Sequence, residues 1–231
     1  MNDEDALEDL DALVRRTDED RWLSSRYVAD ATARADLTAL YAFDREITRA
    51  PQVASNPLIG EIRLTWWREA LEEAFGGGRV RRHPVVEALA GAARRGAFSR
   101  ERLEAAIDAR YDDLEPEPFA DESAMDAWLD AAHGSIMVEA AKRLDPAVDP
   151  HALRAAARAG GLSRLDPARL PPGFERDAGL RDRLAAARAD TARLSADAFP
   201  AVAHATLVRR PDAGPFGRRW ALWTAVLRGR I

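Results

Sequence analysis

Acidic residues spaced four positions apart are the first feature of this sequence that could do chemistry. Asp5/Asp9, Asp108/Asp112 and Asp126/Asp130 would each place two carboxylates on one helix face, where they could hold a divalent cation. With 39 acidic residues among 231, chance alone gives roughly six or seven such pairs in a helical chain. The pairs therefore favour solvated helix faces over a metal site.

The other residue types that carry chemistry exclude several classes of protein. His83, His133, His151 and His204 are never three or four positions apart, so no two of them share a helix face. The absence of cysteine excludes disulfides, thiol catalysis and iron–sulfur clusters. Gly76-Gly77-Gly78 lacks the Lys-Ser/Thr that a phosphate loop requires. A net charge of −5 argues against nucleic-acid binding.

Apolar residues recur at helical spacing along almost the whole chain, which predicts an all-α protein. Leu7, Leu10, Leu13 and Val14 give a first stripe, and Asp36 is expected to cap a helix that closes near Pro51. Further helices are predicted at 58–75, 84–95, 99–114, 123–144, 150–165, 181–199 and 218–227. No linker divides the chain, so we predict one domain over residues 1–231.

No apolar run is long enough to cross a membrane, and the acidic N-terminus has the pattern of neither a signal nor a transit peptide. We therefore expect a cytoplasmic protein.

Five short motifs follow one another in a characteristic order. They are Leu40-Tyr41-Ala42-Phe43-Asp44-Arg45, Arg63-Leu64-Thr65-Trp66-Trp67-Arg68-Glu69-Ala70-Leu71, His83-Pro84-Val85, Arg110-Tyr111-Asp112-Asp113-Leu114 and Ala132-His133-Gly134-Ser135. In order and spacing, this series resembles the squalene/phytoene synthase family, best over residues 20–165. The resemblance implies the isoprenoid synthase fold, a helical bundle around a central cavity.

Synthases of that family condense two prenyl diphosphates head to head. The resemblance implies two Asp-rich motifs on opposed helices that hold Mg²⁺ against the diphosphates, and a cavity that shields a carbocation. Here the positions of the first motif read Thr48-Arg49-Ala50-Pro51-Gln52, and Asp166 stands alone where the second is expected. Pro51 should also end the helix that presents the ligands.

In lacking both motifs, the sequence resembles a divergent branch of the family. This branch includes an assembly factor of mitochondrial NADH:ubiquinone oxidoreductase. The resemblance favours a non-catalytic protein, without a cofactor, that binds a lipid, an isoprenoid or a protein partner during assembly of a membrane complex. The alternative is an active prenyl transferase that holds Mg²⁺ with Asp44, Asp112 and Asp113. An interaction protein unrelated to isoprenoids is a third interpretation.

The resemblance also gives a set of candidate residues for a cavity or ligand site. They are Tyr41, Asp44, Arg45, Arg63, Trp67, Arg68, Asp112, Asp113 and Gly134, of which Asp112 and Asp113 are the only weak metal candidates. Arg63 and Arg68 could bind an anion or pair with Glu69 and Glu72 on their own helix.

The C-terminal helix, residues 216–227, has an amphipathic pattern. Trp220, Trp223, Val226 and Leu227 form one apolar stripe, with arginines at both ends. The stripe is expected to pack onto the core and bury both tryptophans. Docking on an anionic membrane, or in a protein groove, is the alternative.

Overall fold

The computed structural model describes residues 3–210 and 212–231, with side chains from Leu10 onward. The side chains of Asp5, Leu7 and Asp9, and Pro211, lie outside the described residues. Within this part of the chain all regular structure is helical, which confirms the all-α prediction. None of the described helices is both long and apolar enough to cross a bilayer.

Eleven α-helices form the described part of the chain. They are α1 (Asp3–Thr17), α2 (Glu19–Ser25), α3 (Ala31–Gln52), α4 (Pro57–Phe75), α5 (Pro84–Arg94), α6 (Arg100–Ala109), α7 (Glu122–Leu129), α8 (Ser135–Leu144), α9 (Arg154–Arg164), α10 (Arg176–Thr191) and α11 (Pro215–Arg228). Short 3-10 segments span Arg110–Asp113, Pro150–Leu153, Pro167–Arg169, Phe199–Ala201 and Ala203–Arg209.

Helix α3 lies at the centre and packs against α1, α4, α5 and α8. Its Leu37, Leu40, Phe43 and Ile47 are fully buried, as their spacing predicts. Phe43 meets Trp67 of α4 edge to face, with ring centroids 5.8 Å apart. This apolar contact fixes α3 against α4, so the polar face of α3 has a defined direction.

The start of α3 corrects one prediction. The N-cap is Asp30, whose side chain accepts a hydrogen bond from the Thr32 backbone N–H. Asp36 lies inside the helix, is almost fully buried, and accepts hydrogen bonds from Arg95 and Arg143. Its carboxylate joins three helices instead of capping one.

The end of α3 agrees with the prediction that the helix closes near Pro51, because Pro51 lies within the last turn and the helix ends at Gln52. Proline removes one backbone donor, and the Val53 N–H still bonds to Arg49 at 3.1 Å. Residues 48 and 52 therefore remain on one helix face.

A π-helical turn, Asp130–Gly134, joins α7 to α8 in the segment predicted as one helix. The turn shifts the register and directs His133 toward α9. There Gly161 is required: a Cβ atom built at this position would lie 2.5 Å from His133 Cδ2. A close approach between α9 and the π turn thus holds His133 in place.

The C-terminal third differs most from its prediction. Helix α10 begins at Arg176 and ends at Thr191, whereas the predicted helix covers 181–199. Its end is followed by a new turn, in which Ser195 Oγ accepts from the Ala198 N–H at 3.2 Å and Pro200 supplies no donor. Local capping and proline outweigh the weak apolar pattern there.

The packing of α11 is also opposite to the prediction. Ala221, Leu222 and Ala225 are buried against the Ala203–Arg209 segment, whereas Trp220 and Trp223 are exposed. The expectation that the stripe buries both tryptophans is therefore wrong. Ala221 and Ala225 let α11 approach its neighbour closely, Leu222 fills the contact, and the two tryptophans remain outside.

Candidate functional site

A cavity of about 560 Å³ lies beside the C-terminal half of α3. One face of this helix lines it with Tyr41, Asp44, Thr48 and Gln52, which follow one another at helical spacing. Arg45 lines the same cavity. The site is therefore built on a rigid helix whose other face is fixed in the core.

The cavity lining contains equal numbers of positive and negative side chains. The arginines are Arg21, Arg45, Arg110, Arg164, Arg169 and Arg218, and the carboxylates are Asp18, Glu19, Asp20, Asp44, Asp113 and Asp166. They come from α2 and its cap, α3, α9, α11 and two 3-10 segments. The balance of charge means that the cavity has no formal excess of either sign.

Asp44 is the buried centre of this charge network. Its Oδ2 accepts a hydrogen bond from Arg21 Nη1 at 2.5 Å, and its Oδ1 lies 3.6 Å from Arg110 Nη2. Burial opposes ionisation of Asp44, but the two guanidinium groups outweigh it and hold the pKa below its usual value. Asp44 is thus an ionised carboxylate that is already neutralised.

Asp113 forms a second centre at the end of the Arg110–Asp113 segment. Arg110 Nη1 lies 3.3 Å from Asp113 Oδ2, and Arg169 donates to Oδ1. Arg169 also lies over the Trp128 ring at 4.7 Å, which orients its guanidinium group. Arg110 bridges Asp44 and Asp113, so the two centres form one network.

The rim of the cavity continues this pattern. Asp18 caps α2, contacts Arg21 at 3.7 Å, and pairs with Arg164 of α9 at 3.3 Å. Asp20 pairs with Arg218 of α11. These ion pairs connect three helices, and each pair neutralises a charge that would otherwise face the cavity.

Three titratable groups next to the network are held neutral: Tyr41 and His204, which are buried, and His133, which is half-buried. Burial raises the pKa of Tyr41, whose hydroxyl has no hydrogen-bond partner among the described residues. Burial, with the positive charge of Arg110, lowers the pKa of His133 well below its usual range. Burial and Arg21 lower the pKa of His204 to about 3. The added proton would be costly in each histidine.

The sequence matches the squalene/phytoene synthase family model over residues 14–164, which is more than half of the chain. The chain belongs to the squalene/phytoene synthase family. A solved structure of a dehydrosqualene synthase in complex with ligand is similar in fold, with a TM-score of 0.78 at 10% identity. The match covers 97% of this chain and 96% of the synthase. No curated protein sequence matches the chain significantly.

At this level of identity the structural match shows the fold alone. It confirms the predicted isoprenoid synthase-like bundle of the family. The divergent branch of the family stays a prediction, as does the extent of the single domain.

Four of the family-derived candidates lie in the cavity: Tyr41, Asp44, Arg45 and Asp113. Thr48 and Gln52, where the resemblance places the family's first Asp-rich motif, also line it. These two positions of the cavity carry a hydroxyl and an amide.

The other candidates lie outside the cavity. Arg68 pairs with Asp108 of α6, not with Glu69 or Glu72, and Asp112 is exposed. Trp67 packs beside His83 with centroids 5.1 Å apart, and exposed Arg63 lines a separate groove there. Gly134 lies in the π turn, where a Cβ atom built on it would lie 3.8 Å from Asp130 Cβ. The structure does not bring these five residues to one place.

Most of the cavity's charged residues were not among the candidates. Arg110 stands inside a quoted motif, as does the neutral His133, so the motifs themselves contained a signal for both. Arg21 comes from a segment with no such signal. Only the fold shows that Arg21 reaches Asp44 and that Arg169 reaches Asp113.

The cavity does not fit the Mg²⁺ ions that the family implies. Magnesium needs hard anionic oxygens with free coordination positions. Here Asp44 and Asp113 are engaged by arginines, Asp166 caps the Ala168 N–H at 2.9 Å, and residues 48 and 52 carry no charge. Within the part of the chain that the structure describes, no three His, Asp or Glu residues form a metal-binding group. Asp126 and Asp130 hold Arg158, with both distances at 2.6 Å.

Proposed function

We propose that this protein is a non-catalytic member of the squalene/phytoene synthase family that acts as a binding or assembly factor. One observation carries the proposal: arginines of the same chain neutralise the two central carboxylates of the cavity, Asp44 and Asp113. Arg21 and Arg110 hold Asp44, while Arg110 and Arg169 hold Asp113.

The chemistry of head-to-head condensation supports this interpretation. The diphosphate leaves because metal ions take up its charge, and the carbocation survives because apolar walls exclude water. Arg45 is the only cavity arginine that forms no ion pair with a described residue. A single unpaired arginine supplies little positive charge for a leaving diphosphate. A charged lining does little to protect a carbocation from water.

A charged lining also disfavours a long isoprenoid chain inside this cavity, because apolar chains bind in predominantly apolar pockets. The proposal therefore places binding on the surface of the molecule, toward a protein or a membrane. A role in assembly of a membrane complex is the finer form of the proposal and rests on resemblance to the divergent branch.

The alternative is an Mg²⁺-dependent prenyl transferase with Asp44, Asp112 and Asp113 as ligands. It is favoured by Asp44 and Asp113 lining one cavity. Asp112, however, is exposed and does not line it, so three ligands do not converge. The metal would also have to displace Arg110 from both remaining carboxylates.

The two hypotheses are separated by pyrophosphate release. Purified protein is incubated with farnesyl or geranylgeranyl diphosphate and Mg²⁺, with and without EDTA, beside an active dehydrosqualene synthase as positive control. We expect release at the rate of a protein-free blank. Formation of squalene or phytoene that EDTA abolishes would overturn the proposal.

The binding role needs its own measurement. Lipids extracted from the purified protein are identified by mass spectrometry, with the positive-control synthase prepared in parallel. We expect no isoprenoid in proportion to protein, because the lining of the cavity is charged. A stoichiometric isoprenoid would contradict binding at the surface alone.

A further inference from the structure

The outer face of α11 is an exposed apolar stripe. Phe216, Trp220, Trp223 and Leu227 follow one another at intervals of four, three and four residues, so they lie on one side of the helix. Their exposed fractions are 89%, 62%, 44% and 64%. The Trp220 and Trp223 rings lie together, with centroids 5.0 Å apart. We call these four residues the α11 stripe.

The opposite face of α11 already supplies the packing that the helix needs. Ala221, Leu222 and Ala225 are buried against the Ala203–Arg209 segment. No described residue covers the α11 stripe, and two adjacent tryptophans are rare on a surface that meets only water. The stripe is therefore available to a partner.

The charge around the stripe selects the partner. Residues 209–231 contain six arginines and one aspartate, a formal +5, whereas the whole chain carries −5. The other 208 residues thus carry −10. Basic charge in this acidic molecule is concentrated where the apolar stripe is exposed, which gives the surface a strong preference for an anionic partner.

The arginines of this segment are also free to act. Only Arg218 forms an ion pair with a described residue, Asp20. The remaining five are exposed: Arg209, Arg210, Arg219, Arg228 and Arg230. Their guanidinium groups can meet headgroup phosphates while the apolar stripe enters the layer beneath.

We propose that the α11 stripe docks on the surface of a lipid bilayer that contains anionic headgroups. Tryptophan and arginine are the residues that suit this boundary, since an indole spans the apolar and wet layers. A second copy of the chain is a poorer occupant, because a symmetric contact would set the same five arginines against each other. The inference stands independently of the proposed function.

Vesicle flotation of the full chain tests the proposal. Vesicles of phosphatidylcholine alone are compared with vesicles that also contain phosphatidylserine, at low and high salt. We expect binding to the anionic vesicles only, and weaker binding at high salt because the charges are screened. Failure of the wild-type protein to float with anionic vesicles would overturn the proposal.

Two matched double variants show whether the stripe is responsible. Trp220→Ser with Trp223→Ser removes the centre of the stripe, and Leu58→Ser with Ile62→Ser removes two exposed apolar residues of α4. We expect the first variant to partition onto the vesicles at least tenfold more weakly than wild type, and the second variant to partition as wild type does. Equal loss in both variants, or no loss in the first, would contradict docking through α11.

Charge is tested separately with Arg219→Gln and Arg228→Gln together. Each basic residue near an anionic surface strengthens partitioning about fivefold, so we expect more than tenfold weakening. Unchanged circular dichroism and urea midpoints confirm that the exposed variants fold. A concentration-dependent dimer that the tryptophan variant abolishes, without flotation of wild type, would assign the stripe to a second copy and overturn the proposal.

Discussion

The cavity beside α3 and the outer face of α11 differ in whether their charged side chains are paired within the chain. In the cavity, Asp44 and Asp113 are each held by two arginines of the same chain. On α11, the α11 stripe is exposed, and Arg219 and Arg228 form no ion pair with a described residue. Under the two proposals made above, a concentration of charge marks a binding site only where the chain itself leaves that charge unpaired.

The two regions also differ in what holds them. The cavity is built from α3, whose far side is fixed in the core, and its network joins α2, α9 and α11. The α11 stripe is the free side of a helix that packs through Ala221, Leu222 and Ala225. We therefore expect mutations in the cavity to change stability and mutations in the stripe to change binding.

The largest effect is expected for Asp44→Asn. This substitution leaves Arg21 and Arg110 buried without the carboxylate that neutralises them, which should lower the free energy of unfolding by about 3–5 kcal/mol. Asp112→Asn is the matched control, because that carboxylate is exposed. Its effect should stay within about 0.5 kcal/mol.

Urea unfolding followed by circular dichroism measures both variants. A cost below about 1 kcal/mol for Asp44→Asn would show that the buried network is not what holds the cavity.

The second effect compares the two faces of α11. Leu222→Ala removes a fully buried side chain and should cost about 2–5 kcal/mol, because it leaves a cavity in the core. Trp220→Ala, two positions away on the exposed face, should cost less than about 0.5 kcal/mol. Similar costs for both substitutions in urea unfolding would mean that α11 presents a different face to the core.

A smaller effect is expected from pH. Burial lowers the pKa of His204 to about 3, so the folded protein leaves it neutral while the unfolded chain binds a proton as the pH falls below about 6.5. The free energy of unfolding therefore decreases as the pH is lowered. This residue accounts for a decrease of about 2 kcal/mol between pH 6.5 and pH 5. His133 acts in the same direction.

Unfolding measured across this pH range tests the effect. His204→Gln should flatten the dependence by about 1.4 kcal/mol per pH unit, and exposed His151→Gln should leave it as in wild type. An unchanged slope in His204→Gln would exclude a buried neutral histidine at this position.

The apolar spacing of α3, α4 and α5 was sufficient to predict these helices, because each buries one continuous stripe. Asp36 shows where such prediction ends. Its sequence context suits an N-cap, but its partners Arg95 and Arg143 lie 59 and 107 residues away. Local patterns contain no information on contacts at that distance.

The candidate site could likewise be predicted from the sequence only in part. The motif around Tyr41 and Asp44 identified the right helix face, whereas the neutralising Arg21 is 23 residues away in another element. In α11, two apolar faces compete, and the sequence favours burying the tryptophans. The face with the small residues Ala221 and Ala225 is the buried one, because these residues permit a closer approach to the neighbouring segment.

We propose that arginines have taken the place of metal ions in the cavity. Titration with Mn²⁺ in the presence of pyrophosphate tests this proposal, since Mn²⁺ takes the same hard oxygen ligands as Mg²⁺ and free Mn²⁺ is measured by electron paramagnetic resonance. An active dehydrosqualene synthase serves as positive control. We expect the free Mn²⁺ signal to equal that of a protein-free pyrophosphate solution at every step. Loss of that signal in fixed proportion to the protein would mean that the cavity binds the metal ion.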